Sequence, residues 1–257
     1  MSCAVAPAFW ARQQRLPMPL QRFVRVRLEA ALRDPRDRPL LVWPTILGAP
    51  RQRESHPEGI PQAELFAQAG RMLAALGVRD PEQAWRQALD GFPDTADKGL
   101  TGWVPHRIWE PLSAPLSLRC GVMLVALTGQ PEDARYRFAS GVTLFNSALF
   151  HEAHDALEEL WRQASGDLKA GLQGLILLAG GFYHQQQHDA IGMISLWKDA
   201  LEVLESFDGE LSTPWGRVDF AQSLEAAERR IVWMRDLEAG AALDGLWEMV
   251  RPEWEMK

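Results

Sequence analysis

Along residues 132–237 the apolar side chains recur every three or four positions, the period of helices that bury one face each, and this pattern limits the chain to a helical architecture in that region. Ala190, Ile194, Trp197, Leu201 and Leu204 fall on one stripe, and Phe220, Leu224, Ala227, Ile231 and Met234 fall on another. Helices are expected at 132–146, 148–164, 167–187, 190–207 and 218–237, the third capped by Ser165 or Asp167. The fold class expected is mainly α. Residues 131–257 are read as an antiparallel bundle of four to five helices plus a tail, and residues 1–130 as a separate, mostly helical, proline-rich lobe of unknown type.

That first lobe starts irregularly. Pro17, Pro19, Pro35, Pro39, Pro44, Pro50, Pro57 and Pro61 leave room for short elements only. Pro19 suits the first turn of a helix through Leu32, although Val24, Val26 and Leu28 alternate with charged residues as a strand would. Residues 40–43 read as a short buried strand or extended chain ending before Pro44. Beyond Pro61 the helical period returns with Leu65, Ala69, Met72 and Leu76, stopped by Gly77. A second helix is expected at 81–89, loop chemistry at 91–102, a buried helix at 116–127, and the lobe boundary at Gly129 and Pro131.

Charge is distributed unevenly. Residues 10–53 hold ten arginines against Glu29, Asp34 and Asp37, a local +7 in a chain of formal charge −7, so the remainder carries −14. Such a segment can face nucleic acid, an acidic membrane or the chain's own acidic lobe, and the plainest reading is a solvated face. Nucleic-acid binding through Arg22, Arg25 and Arg27 ranks last among the functional readings. Arginine outnumbers lysine 23 to 4, in keeping with a GC-rich, bacterial-type genome.

The longest apolar run, residues 172–183, is well short of the roughly 20 residues a membrane span needs. The N-terminus lacks the pattern of a secretory signal. Only Cys3 and Cys120 are present, with no CxxC spacing, so neither a disulfide framework nor a thiolate metal site is indicated. No membrane association and a reduced, cytoplasmic location are expected. Eleven tryptophans exceed what so small a chain usually holds, and the tail at 245–254 is expected to pack on the first lobe rather than on another subunit. A protein partner or homo-oligomer is compatible with these features.

The residues with chemistry lie in 151–188. His154 and Glu158 sit one turn apart beside the apolar margin formed by Phe150, Leu157 and Trp161. On the next helix, Gln173 and His184 are 11 residues apart and project from one face. Gly171, Gly174, Gly180 and Gly181 predict close helix approach or access for a ligand, because helical glycine costs up to about 1 kcal/mol against alanine.

The run Phe145-Asn146, Phe150, Glu152-Ala153-His154, Leu157-Glu158-Glu159 and Trp161, followed by residues 172–176 and Tyr183-His184, resembles the domain of unknown function 309 family, whose hallmark is HxxxEExW. His154, Glu158, Glu159 and Trp161 match that hallmark position for position. The resemblance implies a small helical bundle with these polar residues clustered between helices, and no particular reaction. The family usually has glycine in the turn before this helix and an aromatic before the first glutamate, where this chain has Ala148 and His151. It also tends to have a Gly-Asn link after the next helix, where His188-Asp189 stands here.

Three readings follow. The plainest is a binding or scaffold module with an inter-helix pocket of His154, Glu158, Trp161, Gln173, Tyr183 and His184, its polar groups satisfying one another. A second is a metal-dependent, hydrolase-like enzyme in which His154, Glu158 and His184, with His151 or His188, hold a divalent ion, His154 and Glu158 being the catalytic candidates. HExxH is absent, since Asp155 stands where the second histidine belongs. Metal-free acid/base catalysis or polar ligand binding by the same groups stays open beside it, and nucleic-acid binding through the arginine-rich segment is the third, while GxSxG, GxxxxGK and GxGxxG are all missing.

Overall fold

The computed structural model describes residues 18–47, 59–78, 80, 81, 83, 103–105, 114–236 and 252–257. The chain divides into two compact units, Met1–Gly129 and Gln130–Lys257.

In the first unit, α1 (Met18–Arg33) places Pro19 in its first turn, where a missing N–H costs nothing, and Arg33 in its last. Asp34 then accepts from the Arg36 N–H at 2.8 Å and opens the 3-10 helix Pro35–Leu41, which runs straight into α2 (Val42–Leu47). Residues 40–43 are therefore helical rather than a strand. Pro44 is no obstacle, because it falls in the first turn of α2 where backbone donors have no intrahelical acceptor.

Two short strands, β1 (Gly59–Pro61) and β2 (Trp103–Pro105), pair antiparallel with Ile60 opposite Val104. They flank α3 (Gln62–Ala75), which buries Leu65, Ala69 and Leu73, one position along from the expected Met72. The last helix of the unit is α4 (Ala114–Thr128), and Arg38 donates to its terminal carbonyls Leu127 and Thr128 at 2.8 and 2.9 Å. One arginine of the basic segment thus closes a helix C-terminus. Arg27 is only 7% exposed and so adds little to a basic surface, although its guanidinium, drawn down to about 10 by burial, stays charged at neutral pH. The expected helix at 81–89 and loop at 91–102 fall largely outside the described residues.

The second unit is a bundle of α5 (Tyr136–Asn146), α6 (Phe150–Gln163), α7 (Gly166–Gln186) and α8 (Ala190–Leu204), with α9 (Ala221–Asp236) following a hairpin. Turns of two or three residues make successive helices antiparallel neighbours. An aromatic cluster occupies the centre: Phe145 lies 4.9 Å from Phe150 and 5.5 Å from Phe182, and Phe182 lies 4.9 Å from Trp197, ring centre to ring centre. Burial of each such side chain contributes about 1.5–3 kcal/mol.

Gly171, Gly174 and Gly181 let this packing close. A methyl group at Gly171 would overlap Leu211, at Gly174 it would overlap Leu204, and at Gly181 the indole of Trp197.

Two features depart from the helical expectation. First, α5 begins at Tyr136 rather than 132, since Asp133 turns back on Arg135, accepting its N–H at 2.9 Å. Second, β3 (Glu210–Thr213) and β4 (Gly216–Asp219) form a hairpin joined by Pro214 and Trp215, so Val218 is in a strand and not in the last helix. A short β5 (Glu255–Met256) completes the sheet beside β4. Trp254, just before it, stacks on Phe145 at 3.7 Å with planes 5° apart, which places that part of the tail on its own bundle. Residues 245–251 of the tail lie outside the described residues.

Three helix ends share one closure. At α3, α5 and α7 the N–H after the turn residue reaches back to the helix (Val78 to Leu73, Leu149 to Leu144, Asp189 to His184), the pattern that demands a left-handed residue between. Those residues are Gly77, Ala148 and His188, with φ of 76°, 59° and 57°. Only the first is the glycine that adopts this conformation without strain.

No helix among the described residues is long and apolar enough to cross a membrane.

Candidate binding cleft

The α6 sequence buries Phe150, Ala153, Ala156, Leu157 and Leu160 against the bundle. At 100° per residue this leaves His151, His154 and Asp155 on the flank that faces α7 near its C-terminal half. There α7 presents Ile176, Leu177, Gly180, Tyr183 and His184, one continuous face, and α8 adds Leu196. Between them lies a cleft of about 230 Å³ with Ile176, Leu177 and Leu196 as apolar walls and His151, His154, Tyr183 and His184 as its polar members. The His151 ring lies 5.2 Å from Tyr183 and 6.4 Å from His154, centre to centre.

On the α7 side, His184 is held by Asp189, its Nδ1 2.8 Å from Asp189 Oδ2. The other carboxylate oxygen accepts the Gly192 N–H at 3.1 Å, so Asp189 also caps α8. That backbone donor, with the His184 ring second, holds the Asp189 carboxyl below the usual carboxylate range. An ionised carboxylate at Nδ1 favours the tautomer with its proton there, leaving the Nε2 lone pair to accept a proton or a ligand. Gly192 makes room for this pair. A methyl group at that position would approach Asp189 Oδ2 to 2.7 Å and collide with the His184 ring.

On the α6 side, His154 Nδ1 lies 3.2 Å from Asp155 Oδ1, and His151 Nδ1 lies 3.8 Å from the same oxygen. One ligand atom from each of these three residues fits within a mutual 4.8 Å.

The structure thus brings His151, His154, Tyr183 and His184 to one cleft. It takes the other expected members elsewhere. Glu158 pairs with Arg162 at 2.9 Å, Glu159 pairs with Arg162 and Arg137, and Trp161 lies under the Lys169 ammonium. Gln173 is exposed, one turn nearer the start of α7 than the cleft reaches. His188 occupies the turn after α7 and does not line the cleft. The expected ligand set of His154, Glu158 and His184 is accordingly not assembled: Glu158 faces an arginine, and the carboxylate beside His154 is Asp155.

Asp155 and Asp189 are members of the site beyond those the sequence motif points to, although both carry a signal. His151 and Asp155 stand at i and i+4 on a helix, and Asp189 precedes Ala190-Ile191-Gly192 as an N-cap residue should.

No curated protein and no solved structure matches the chain. A family model matches across the cleft: residues 138–196, from the first turn of α5 to Leu196, are similar to the family described as a domain of unknown function (DUF309).

Proposed function

We propose that the second unit is a helical binding module whose cleft takes one compact ligand with an apolar body and a polar end. The observation that carries this reading is the composition of the cleft. Ile176, Leu177 and Leu196 can desolvate an apolar group, while His151, His154 and His184 can fix the orientation of a polar one. At about 230 Å³ the space falls below the roughly 300–1,000 Å³ of sites for drug-sized ligands, which favours something small.

The test is binding of short-chain carboxylates, alcohols and amines to chelator-treated protein, followed by thermal unfolding and by histidine ring NMR shifts. Binding is expected to move the ring signals of His154 and His184 and to vanish in Gly180→Leu, which fills the cleft. Equal binding to that variant, or no binding across the series, would sink the reading.

A further inference from the structure

We propose that His151, His154 and Asp155 form a site for a divalent cation of the zinc class at the mouth of the cleft. The site shares His154 with the HxxxEExW hallmark but not its glutamates, because its carboxylate is Asp155 and Glu158 takes no part.

Geometry is the first support. Zinc binds imidazole nitrogen and carboxylate oxygen at about 2.0–2.2 Å in tetrahedral array, which sets neighbouring ligand atoms about 3.4 Å apart. The separations of 3.2 Å from His154 and 3.8 Å from His151 to Asp155 Oδ1 already bracket that edge. All three residues offer a ligand atom within a mutual 4.8 Å, so the side chains need to close by about 1 Å to reach that edge. Both rings turn about side-chain torsions at the protein surface, so the backbone of α6 is not disturbed.

Access is the second support. The side chains of His151, His154 and Asp155 are 50%, 35% and 38% exposed, so a cation can enter from solution without opening the bundle. Two neutral imidazoles and one carboxylate suit zinc, cobalt, nickel or copper better than magnesium or calcium, which favour oxygen.

The third support is the direction in which the site opens. Both histidines line the cleft and Asp155 does not, so a cation held by the two rings would lie beside the space where His184 and Tyr183 stand. A donor group on a ligand in the cleft can complete the shell there. This last point rests on the binding reading above, whereas the cation site itself does not.

The experiment is titration of the untagged, chelator-treated full chain with Co2+ and with Zn2+, following the visible absorption of bound Co2+ and the heat of Zn2+ binding. One equivalent with tetrahedral-type Co2+ absorption is expected. His151→Ala and Asp155→Asn are each expected to weaken binding by more than the roughly 10–100-fold that loss of a ligand's supporting partner costs. Glu158→Gln and His188→Ala should bind as the parent does. His151 is exposed and Asp155 half-exposed, so the metal-free variants should keep the parent's helical circular dichroism and unfold cooperatively, which separates loss of a ligand from loss of fold. Absence of stoichiometric binding, binding unchanged in His151→Ala and Asp155→Asn, or binding lost in Glu158→Gln would each overturn the proposal. Failure of the metal titration with apolar ligands still bound would leave the cleft reading standing, and the converse result would leave the cation site.

Discussion

Asn146 holds Trp254 by two hydrogen bonds of opposite sense: its amide donates to the Trp254 carbonyl at 2.8 Å, and its side-chain oxygen accepts the Trp254 N–H at 2.8 Å. The side chain mimics a strand neighbour for one residue of the tail, and Trp254 is left 2% exposed on the face of Phe145. Asn146→Ala is expected to cost about 1–3 kcal/mol for each backbone group left unpaired. Trp254→Ala should cost about 3–5 kcal/mol. Denaturant unfolding of the two single variants and the double variant should show losses that fall well short of adding, since both act on one contact.

Gly181 and Gly180 adjoin in sequence but meet different surroundings. Gly181→Ala drives a methyl into Trp197, whereas at Gly180 the nearest atom is a flexible Leu196 methyl carbon at 3.0 Å. Alanine gains up to about 1 kcal/mol in helix propensity at either site, and overpacking costs about 1–3 kcal/mol. Calorimetry should therefore find Gly181→Ala destabilised and Gly180→Ala near the parent.

His188 lies exposed at φ 57°, in the turn where the third helix closure wants glycine. His188→Gly should raise stability by about 0.5–1 kcal/mol, the relief of left-handed strain less the added freedom of the unfolded chain. The measurement is the unfolding midpoint. A loss on substitution would mean that the imidazole contributes more than its backbone strain costs. Ala148 shares the geometry but is buried, so Ala148→Gly forfeits a packed methyl and should gain less.

The Asp189 carboxyl titrates below its ordinary value in the folded chain because Gly192 and His184 bond its ionised form. A depressed carboxyl binds fewer protons when folded than when unfolded. Its contribution is thus present above the ordinary aspartate value near pH 3.9 and is lost as pH falls through the lower folded value. Asp189→Asn keeps an N-cap oxygen and removes the charge. Its unfolding midpoint should change less than the parent's on acidification below about pH 4. Equal acid slopes would show that Asp189 adds nothing to the pH dependence.

Much of the second unit is legible in the order of its residues. Trp197 and Leu204 sit on the stripe read for their helix and are both buried. The glycines of α7 foretell close approach, and Leu204, Leu211 and Trp197 supply it. The hairpin is hidden because Glu210–Asp219 is short and holds Pro214 and Gly216, while Val218 fits the period of the helix that follows. Gln173 shares a helical face with His184, but periodicity cannot tell how far along that face a neighbouring helix shapes a cleft. Asp155 and Asp189 carry local signals, an i, i+4 histidine and an N-cap position, but that each meets an imidazole of one cleft is a relation created by folding. Trp254 lies 108 residues from Asn146, beyond the reach of any local pattern.

Every residue that lines the cleft lies between 151 and 196, on three consecutive helices. Contacts that local need no long loop to close before they form, which is the condition for rapid assembly. The clasp between Asn146 and Trp254 is the opposite case, a contact that must wait for a distant segment to arrive. The bundle should gather its three cleft helices early and seal the Phe145 end late, so that on refolding the histidine environment matures before tryptophan fluorescence reaches its final value.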